Sequence, residues 1–572
     1  MSGILRDGLS MLAGSYLPAV ELFAAALGCG LFTLRRMARK DSSGEHWLIA
    51  PGLGVAVLSA LSFLLVVVGH FQPLFLLPGA LLILALAVAS LGWELWLARE
   101  AIAKNKSWII GGTAAVLLLL ILRLAFLKGL LLPPYSDSPV HYQIVVSFLR
   151  PGQADASGLS LNTIFRDYYH YGFHSLAAWL SLVSGLAPEN AISLLGQLLL
   201  VICPLSVYAL TYAATRSHAA AGFSALLAAL AWYMPAFGVN WGKFPALSSL
   251  AVFPSIIAAF VLAIRCGMKR PALILWGAFF LAGAALLHTR VLFCLVFAAA
   301  AAFLAFKVGL EGNMPLWRAV GLALLYVLSL LPFYGILHDY YAGLPVLVVF
   351  LVLLPIAFQE YPKLAGAVLF YALFLWLGIT IPFPALQGGT TLLDSPYVEM
   401  ALYIPLAVVM GAGFGGLMHR LHAAGWQRPL VAALLAGGVL LNFSPNSLRP
   451  DNCCIYYTHD DQRAFEWIRE NAAPRSIFLI SSYQSGNATA GTDAGLWISF
   501  LTGRGTSQVP YNVDWNDPAA LEQACRLGPA ALYLYAGGKQ FSFPTDQPAY
   551  AVLFEGAFRS GDVSIYRLRG CP

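Results

Sequence analysis

Long apolar runs alternate with short polar segments over the first three quarters of the chain. About fourteen of these runs have the 17 to 25 residues that a helix needs to cross a bilayer. They lie at roughly 13–34, 48–69, 72–98, 108–127, 190–214, 219–237, 248–265, 271–288, 291–308, 316–337, 343–359, 364–383, 399–418 and 428–443. The pattern predicts an α-helical polytopic membrane protein with about fourteen transmembrane helices.

Basic residues fall in short clusters between the apolar runs, at 35–40, 99–106, 265–270 and 419–428. Cytoplasmic loops carry an excess of Lys and Arg. Placing these clusters in the cytoplasm puts the N-terminus, the 128–189 loop and everything after Ser444 outside.

One shorter apolar segment, Phe173 to Leu186, does not fit the alternation as a full span. Counting it as one would move the 265–270 cluster to the wrong side of the membrane. We therefore predict a re-entrant or surface-lying helix for it.

The composition changes after Ser444 to an ordinary mixture of charged, polar and apolar residues. A helix from about Asp460 to Asn471 and β-type runs at 477–480, 531–535 and 563–566 predict a small α/β domain. Three regions follow: N-terminal extra helices (1–107), a transmembrane catalytic module with the external 128–189 loop (108–444), and an extracytoplasmic α/β domain (445–572).

The overall composition supports the membrane class. Hydrophobic residues make up 59% of the chain and charged residues 10%, and the mean hydropathy is +0.74. The net charge of +6 reflects the loop clusters, so it does not indicate nucleic-acid binding. We expect an integral protein of a bacterial cytoplasmic (inner) membrane.

Four cysteines lie in the C-terminal domain: Cys453, Cys454, Cys525 and Cys571. An extracytoplasmic domain permits disulfides, so we predict that two or more of them are bonded. We expect the adjacent Cys453 and Cys454 to pair with Cys525 or Cys571 rather than with each other. The alternative is four reduced thiols.

Candidate chemistry begins in the first large external loop, at residues 135–141. Asp137 lies between Pro134 and Pro139, so its backbone is extended next to the membrane, and His141 follows. A carboxylate held there is suited to take the proton of an acceptor hydroxyl. The alternative is a solvated loop aspartate.

A second polar group follows in the same loop, at residues 166–174. It includes Arg166, Asp167, His170 and His174. The two histidines are four residues apart, the spacing of a metal pair on a helix, although no third ligand is near in sequence. Binding of phosphate or sugar hydroxyls is the other interpretation.

Three further external segments carry candidate ligands for a phosphate-linked sugar. Trp241 offers a ring for stacking and Lys243 a cation, while His288 and Arg290 join two apolar runs at the membrane edge. Tyr397 lies in a polar loop that also contains 387–391. A Trp anchor with a snorkelling Lys is the competing interpretation at Trp241 and Lys243.

Several soluble-enzyme signatures are absent from the sequence: a Gly-Lys-Ser phosphate loop, a dinucleotide-binding fingerprint and a His-Glu-x-x-His motif. The chain therefore gives no sign of using a cytoplasmic nucleotide, and we expect lipid-linked substrates.

Together these features resemble the GT-C superfamily of membrane glycosyltransferases. The resemblance covers most of residues 108–572 and rests on the acidic external loop at Asp137, the aromatic and histidine-rich stretch 168–174 before a short apolar helix, and the external α/β domain. It implies a polyprenyl-phosphate sugar donor and Asp137 as the catalytic base. The loop lacks the paired acidic motif of metal-dependent members, so dependence on Mg²⁺ or Mn²⁺ stays open.

The prediction is therefore an inverting glycosyltransferase that acts on a glycan, lipid or protein acceptor at the outer face of the membrane. We predict Asp137, His141 and Asp167 as catalytic residues. The predicted substrate-binding residues are Arg166, His170, His174, Trp241, Lys243, His288, Arg290 and Tyr397, with no dedicated metal ligand. The alternatives are a transporter or flippase of lipid-linked sugars and a polymerase or ligase of the O-antigen type.

Overall fold

The computed structural model describes residues 2–37, 44–151, 169–310, 312, 314–382, 391–423, 428–485, 488–527, 531–544 and 552–570. The chain forms two compact units. The first unit comprises Met1–Lys128, Val145–Val239 and Lys243–Arg449, and the second comprises Gly129–Ile144, Asn240–Gly242 and Pro450–Pro572.

Helices dominate the described part of the chain. Numbered in chain order, they are α1 (Ser2–Met37), α2 (Glu45–Phe71), α3 (Leu76–Lys104), α4 (Lys106–Leu124), α5 (Ser138–Leu149), α6 (Tyr171–Ser184), α7 (Pro188–Thr215), α8 (His218–Leu230), α9 (Phe244–Arg265), α10 (Arg270–Leu287), α11 (Arg290–Lys307), α12 (Leu316–Leu330), α13 (Leu344–Glu360), α14 (Pro362–Thr380), α15 (Ser395–Ala401), α16 (Tyr403–Ala423), α17 (Arg428–Asn442), α18 (His459–Asn471), α19 (Ile498–Thr502) and α20 (Pro518–Cys525).

Eleven helical segments among the described residues are long and apolar enough to cross a membrane. They are Ser2–Met37, Glu45–Phe71, Pro73–Lys104, Lys106–Gly129, Pro188–Thr215, Phe244–Arg265, Arg270–Leu287, Arg290–Lys307, Leu316–Tyr341, Pro362–Thr380 and Ser395–His422. Three of the predicted spans correspond to the shorter apolar helices α8, α13 and α17. The chain is a polytopic membrane protein, as its hydrophobic pattern predicts.

Small residues let the first helices approach one another closely. A Cβ atom added at Gly54 on α2 would collide with the carbonyl of Ala26 on α1, and one at Gly30 would collide with the carbonyl of Ala50. Close backbone approach at glycine is a common way for helices to pack in a membrane, where lipid supplies no hydrophobic drive for association.

The short apolar segment predicted at 173–186 forms α6. Every residue from Tyr171 to Ser181 is buried, and the indole Nε1 of Trp179 donates to the carbonyl of Ala80 at 3.2 Å. A surface-lying helix would expose one face, so that alternative is wrong. The segment is an interior helix because both its apolar face and its small residues pack against neighbouring helices.

A mixed six-stranded sheet forms the core of the second unit. Its strands are β1 (Ile477–Ser485), β2 (Ala488–Gly491), β3 (Gly505–Pro510), β4 (Leu532–Ala536), β5 (Phe554–Ser560) and β6 (Val563–Leu568). The order is β2-β1-β4-β6-β5, with β3 also pairing with β1; the β1–β3 and β1–β4 pairs are parallel. The helix and the three strands predicted from the sequence are all present.

The helix α18 packs on this sheet and begins with a capping box. The Thr458 N–H donates to Asp461 Oδ2 at 2.7 Å, and the Asp461 N–H donates to Thr458 Oγ1 at 3.4 Å. The Tyr535 hydroxyl on β4 donates to the other carboxylate oxygen. Burial raises the pKa of Asp461 to about 6, against the opposing effect of these hydrogen bonds.

Three of the C-terminal cysteines are disulfide-bonded, which confirms the prediction of two or more, but the pairing differs from the expected one. Cys453 is bonded to its neighbour Cys454, so the prediction that they pair elsewhere is wrong. The two cysteines lie in a tight turn, which Asp451 closes by accepting the Cys454 N–H at 3.0 Å, and this turn holds them together. Cys525 is also disulfide-bonded, whereas Cys571 lies outside the described residues.

Candidate functional site

Three helices of the first unit, α6, α9 and α11, begin close to one another. His170 precedes α6, Lys243 precedes α9, and His288 and Arg290 stand at the junction of α10 and α11. With Asp394, which precedes α15, these residues form what we call the cation–histidine cluster. Helix N-termini carry partial positive charge, so this end of the helices favours an anion.

His288 is at the centre of the cluster and is only 6% exposed. Its ring stacks on that of His170, with ring centroids 3.9 Å apart and planes 24° apart. The Arg290 backbone N–H donates to His288 Nδ1 at 3.3 Å. Because Nδ1 accepts a hydrogen bond, a neutral His288 carries its proton on Nε2 and offers Nε2–H as a donor.

The positive charge around His288 changes its titration. Burial lowers the pKa of His288 well below its usual value, and His170, Arg290 and Lys243 lower it further in that order. The imidazole is therefore neutral at neutral pH. The positive charges that disfavour protonation of His288 also favour a bound anion.

Arg290 has a partner within the chain that the sequence analysis did not anticipate. Its Nη1 lies 2.9 Å from Asp394 Oδ2, and the two side chains are 29% and 43% exposed. The other carboxylate oxygen of Asp394 accepts the Tyr397 N–H at 3.0 Å and caps α15. The Asp394-Ser395-Pro396 sequence, an N-cap followed by proline in the first turn, is the signal that identifies this helix start.

Tyr397 lies in α15 and not in a loop, contrary to the sequence-based expectation. It is 1% exposed, and its hydroxyl is 3.0 Å from the Ser249 hydroxyl on α9. Its ring centroid is 5.0 Å from that of His288. Tyr397 is thus a buried neighbour of the His288 ring.

His174 is fully buried on α6, one turn beyond His170. Its Nδ1 donates to the His170 carbonyl at 3.0 Å, and its ring packs against Tyr169 with centroids 5.6 Å apart. In the parts of the chain that are described, no three His, Cys, Asp or Glu side chains converge as a metal site requires. His174 therefore supports the His170 segment.

The second unit contains the predicted base in a tight turn before α5, so the extended backbone predicted at Asp137 is wrong. Tyr135 adopts a left-handed conformation with φ of 71°, which is uncommon for a residue other than glycine. Its N–H donates to the carbonyl of Cys454 at 2.9 Å. Two residues later Asp137, half-buried, accepts the His141 N–H on its backbone carbonyl at 3.2 Å.

His141 holds a neighbouring loop of the same unit. It is 2% exposed, and its Nε2 donates to the Gly242 carbonyl at 2.8 Å. Gly242 has φ of 62°, and a Cβ there would lie 3.5 Å from Asp137 Cβ. The loop is also tied to the start of the α/β domain, because Asn240 Oδ1 accepts the Asp451 N–H at 2.8 Å.

Two tyrosine side chains lie near enough to Asp137 for its charge to affect their pKa. Burial raises the pKa of Tyr135, and a hydrogen bond with Tyr483 and the charge of Asp137 contribute to the increase. Burial also raises the pKa of Tyr456, and Tyr135, Tyr483, Asp493 and Asp137 add to the increase. The carboxylate therefore lies close to two neutral phenols, Tyr135 and Tyr456, which sequence analysis missed.

The remaining predicted residues divide as follows. Trp241 is half-buried and belongs to the second unit, with Asp137 and His141. His170, His174, Lys243, His288, Arg290 and Tyr397 belong to the first unit. Arg166 and Asp167 lie outside the described residues.

Comparison with known proteins places the chain in one family. The sequence model of the family of unknown function DUF6541 matches residues 23–465, so the chain belongs to that family. No curated protein and no solved structure matches the chain.

Proposed function

We propose that this member of the DUF6541 family is a membrane glycosyltransferase. It moves a sugar from a polyprenyl-phosphate donor to a glycan, lipid or protein acceptor, with inversion at the sugar carbon.

The observation that carries the proposal is the cation–histidine cluster. Lys243 precedes α9 and Arg290 begins α11, beside a neutral His288 that offers an Nε2–H donor. Cations, helix N-termini and a neutral donor are the groups that bind a phosphate at a membrane edge. The polyprenyl chain of such a donor stays in the bilayer while its phosphate is bound.

Asp137 is proposed as the general base. It takes the proton of the acceptor hydroxyl, whose oxygen attacks the sugar C1. The bond from C1 to the phosphate oxygen breaks, and the electron pair leaves with the phosphate. His141 is buried and its Nε2 is bonded to Gly242, so we assign it a positioning role. No step is routed through a metal ion.

A buried arginine helps to weigh this proposal against a transporter. Ionisable groups inside a transporter mark the path of the substrate. Arg123, near the end of α4, donates instead to the carbonyl of Ala229 at 2.7 Å and to that of Ser447 at 3.3 Å. Ala229 lies in the last turn of α8, where carbonyls lack helical partners. Arg123 thus has a structural role and does not mark a substrate path, so it favours a transferase at the membrane edge over a transporter.

The test is a binding titration of the full-length protein with a short-chain polyprenyl phosphate, and with the uncharged polyprenol for comparison. Arg290→Ala and Lys243→Ala each remove a charge-assisted contact worth about 1.5–3 kcal/mol, or roughly 10- to 150-fold in affinity. Lys307→Ala is the matched control, because Lys307 ends the helix that Arg290 begins. Equal affinity for the phosphate and the alcohol, or unchanged affinity in both variants, would contradict the assignment.

A further inference from the structure

A large cavity lies in the first unit, between α1, α2, α3 and α10. Its volume is about 1210 Å³, and its wall is mainly aromatic and aliphatic, with Phe32, Ile83, Trp93 and Trp276 among the lining residues. Small-molecule sites typically measure roughly 300–1,000 Å³. The size and the apolar wall suit the acyl chains of a lipid.

One end of the cavity is cationic. Arg35 and Arg36 lie in the last turn of α1. Arg35 Nη1 is 2.8 Å from the buried carboxylate of Glu94. The Arg36 guanidinium lies 4.3 Å from the centroid of the Phe32 ring. Glu94 pairs with Arg35, and among the residues that the structure describes no carboxylate pairs with Arg36.

The neutral polar groups of the wall are already bonded within the helices. The Thr33 hydroxyl donates to the Cys29 carbonyl at 2.8 Å, and the Ser90 hydroxyl donates to the Gly28 carbonyl at 3.1 Å. A ligand in this cavity therefore meets apolar surface along its length and a cation at one end. This is the pattern of an anionic lipid.

We propose that the cavity binds one anionic phospholipid. Its phosphate contacts Arg36, and its acyl chains lie against Phe32, Ile83 and Trp276. One negative headgroup matches the charge of Arg36.

This site is distinct from the cation–histidine cluster and does not depend on the proposed function. Phe279 and Trp276, which line the cavity, precede His288 by nine and twelve residues along α10. At 1.5 Å per residue this separation is about 13 to 18 Å. The phosphate site proposed here is therefore separate from the one proposed at the cation–histidine cluster.

The experiment measures lipid binding to the delipidated full-length protein by native mass spectrometry. The probes are dioleoyl phosphatidylglycerol and dioleoyl phosphatidylcholine, which share acyl chains and differ in headgroup charge. Arg36→Gln removes the proposed phosphate contact. Arg99→Gln is the matched control, because Arg99 also stacks on an aromatic ring, that of Trp96, but does not line the cavity. Ile83→Trp places a larger side chain in the apolar part of the cavity and reduces the space for acyl chains.

We expect the phosphatidylglycerol to bind about fivefold more tightly than the phosphatidylcholine, and Arg36→Gln to remove that difference while Arg99→Gln keeps it. Ile83→Trp should weaken both lipids and leave polyprenyl phosphate binding unchanged. Equal affinity for the two lipids, equal effects of the two arginine variants, or loss of polyprenyl phosphate binding in Ile83→Trp would overturn the proposal. Arg36→Gln alone decides the charge assignment if Ile83→Trp does not fold.

Discussion

Substitutions at the two ends of the Arg290–Asp394 ion pair separate a ligand site from a structural contact. Arg290→Gln removes the cation, and Asp394→Asn removes the competing anion. An asparagine still accepts the Tyr397 N–H and remains a good N-cap for α15. If Arg290 binds the donor phosphate, the two substitutions act in opposite directions. If the pair only stabilises the fold, both act in the same direction.

The magnitudes follow from the geometry of the pair. Arg290→Gln loses about 1.5–3 kcal/mol of charge-assisted hydrogen bonding, which is roughly 10- to 150-fold in affinity. A phosphate bound to Arg290 would stand about 5–6 Å from the Asp394 carboxylate. Asp394 is 43% exposed, so an effective dielectric constant of about 40 applies and the repulsion is about 1.5 kcal/mol. Allowing for salt screening, Asp394→Asn should tighten binding about threefold to tenfold.

The assay is the dissociation constant of a short-chain polyprenyl phosphate, measured on the full-length protein at two salt concentrations. The midpoint of thermal unfolding without ligand is recorded alongside as a measure of folding. Weaker binding in both variants, in parallel with a lower unfolding midpoint, would refute the ligand assignment of Arg290.

Three further predictions follow from the same structure. Asp137→Asn should abolish sugar transfer and leave donor binding intact, as turnover and binding assays on one preparation can show; activity above about a tenth of wild type would rule out Asp137 as the base. Donor binding should strengthen as the pH falls from neutral, because a bound anion raises the depressed pKa of His288 and couples binding to proton uptake; His288→Gln should flatten this dependence. Without ligand the sign reverses, since the unfolded chain binds that proton more readily, so acid should lower the stability. Cys453 and Cys454 should react with a membrane-impermeant thiol reagent on intact cells only after reduction; labelling from the cytoplasmic side would overturn the predicted topology.

Regular patterns in the sequence predicted the regular parts of the fold. Apolar runs identified the membrane helices, and the Asp460–Asn471 segment with the three β-type runs identified most of the α/β domain. The burial of α6 was not predictable in this way. A short apolar helix has the same pattern whether it lies on a membrane surface or inside a bundle, and only its packing against Ala80 and other neighbours decides.

The candidate site was predicted as separate residues but not as an arrangement. Lys243, His288 and Arg290 were identified because ionisable groups beside long apolar runs are energetically costly and are usually functional. The contact of His288 with His170 depends on tertiary packing between residues more than one hundred positions apart. Asp394 was missed because it was assigned to a loop. The bond between Cys453 and Cys454 was missed because adjacent cysteines pair only when a specific turn brings them together, and the sequence does not show that turn.

The central claim is that the chain cleaves the bond between sugar and phosphate in a lipid-linked donor. The most direct measurement follows radiolabelled polyprenyl-phosphate sugars in membranes of cells that make the protein, which also contain natural acceptors. The account predicts that wild-type membranes release free polyprenyl phosphate and transfer the label to an acceptor with inversion, whereas Asp137→Asn membranes bind the donor and release none. Movement of the intact donor across the membrane, with no cleavage beyond that of membranes lacking the protein, would contradict the account and identify a transporter.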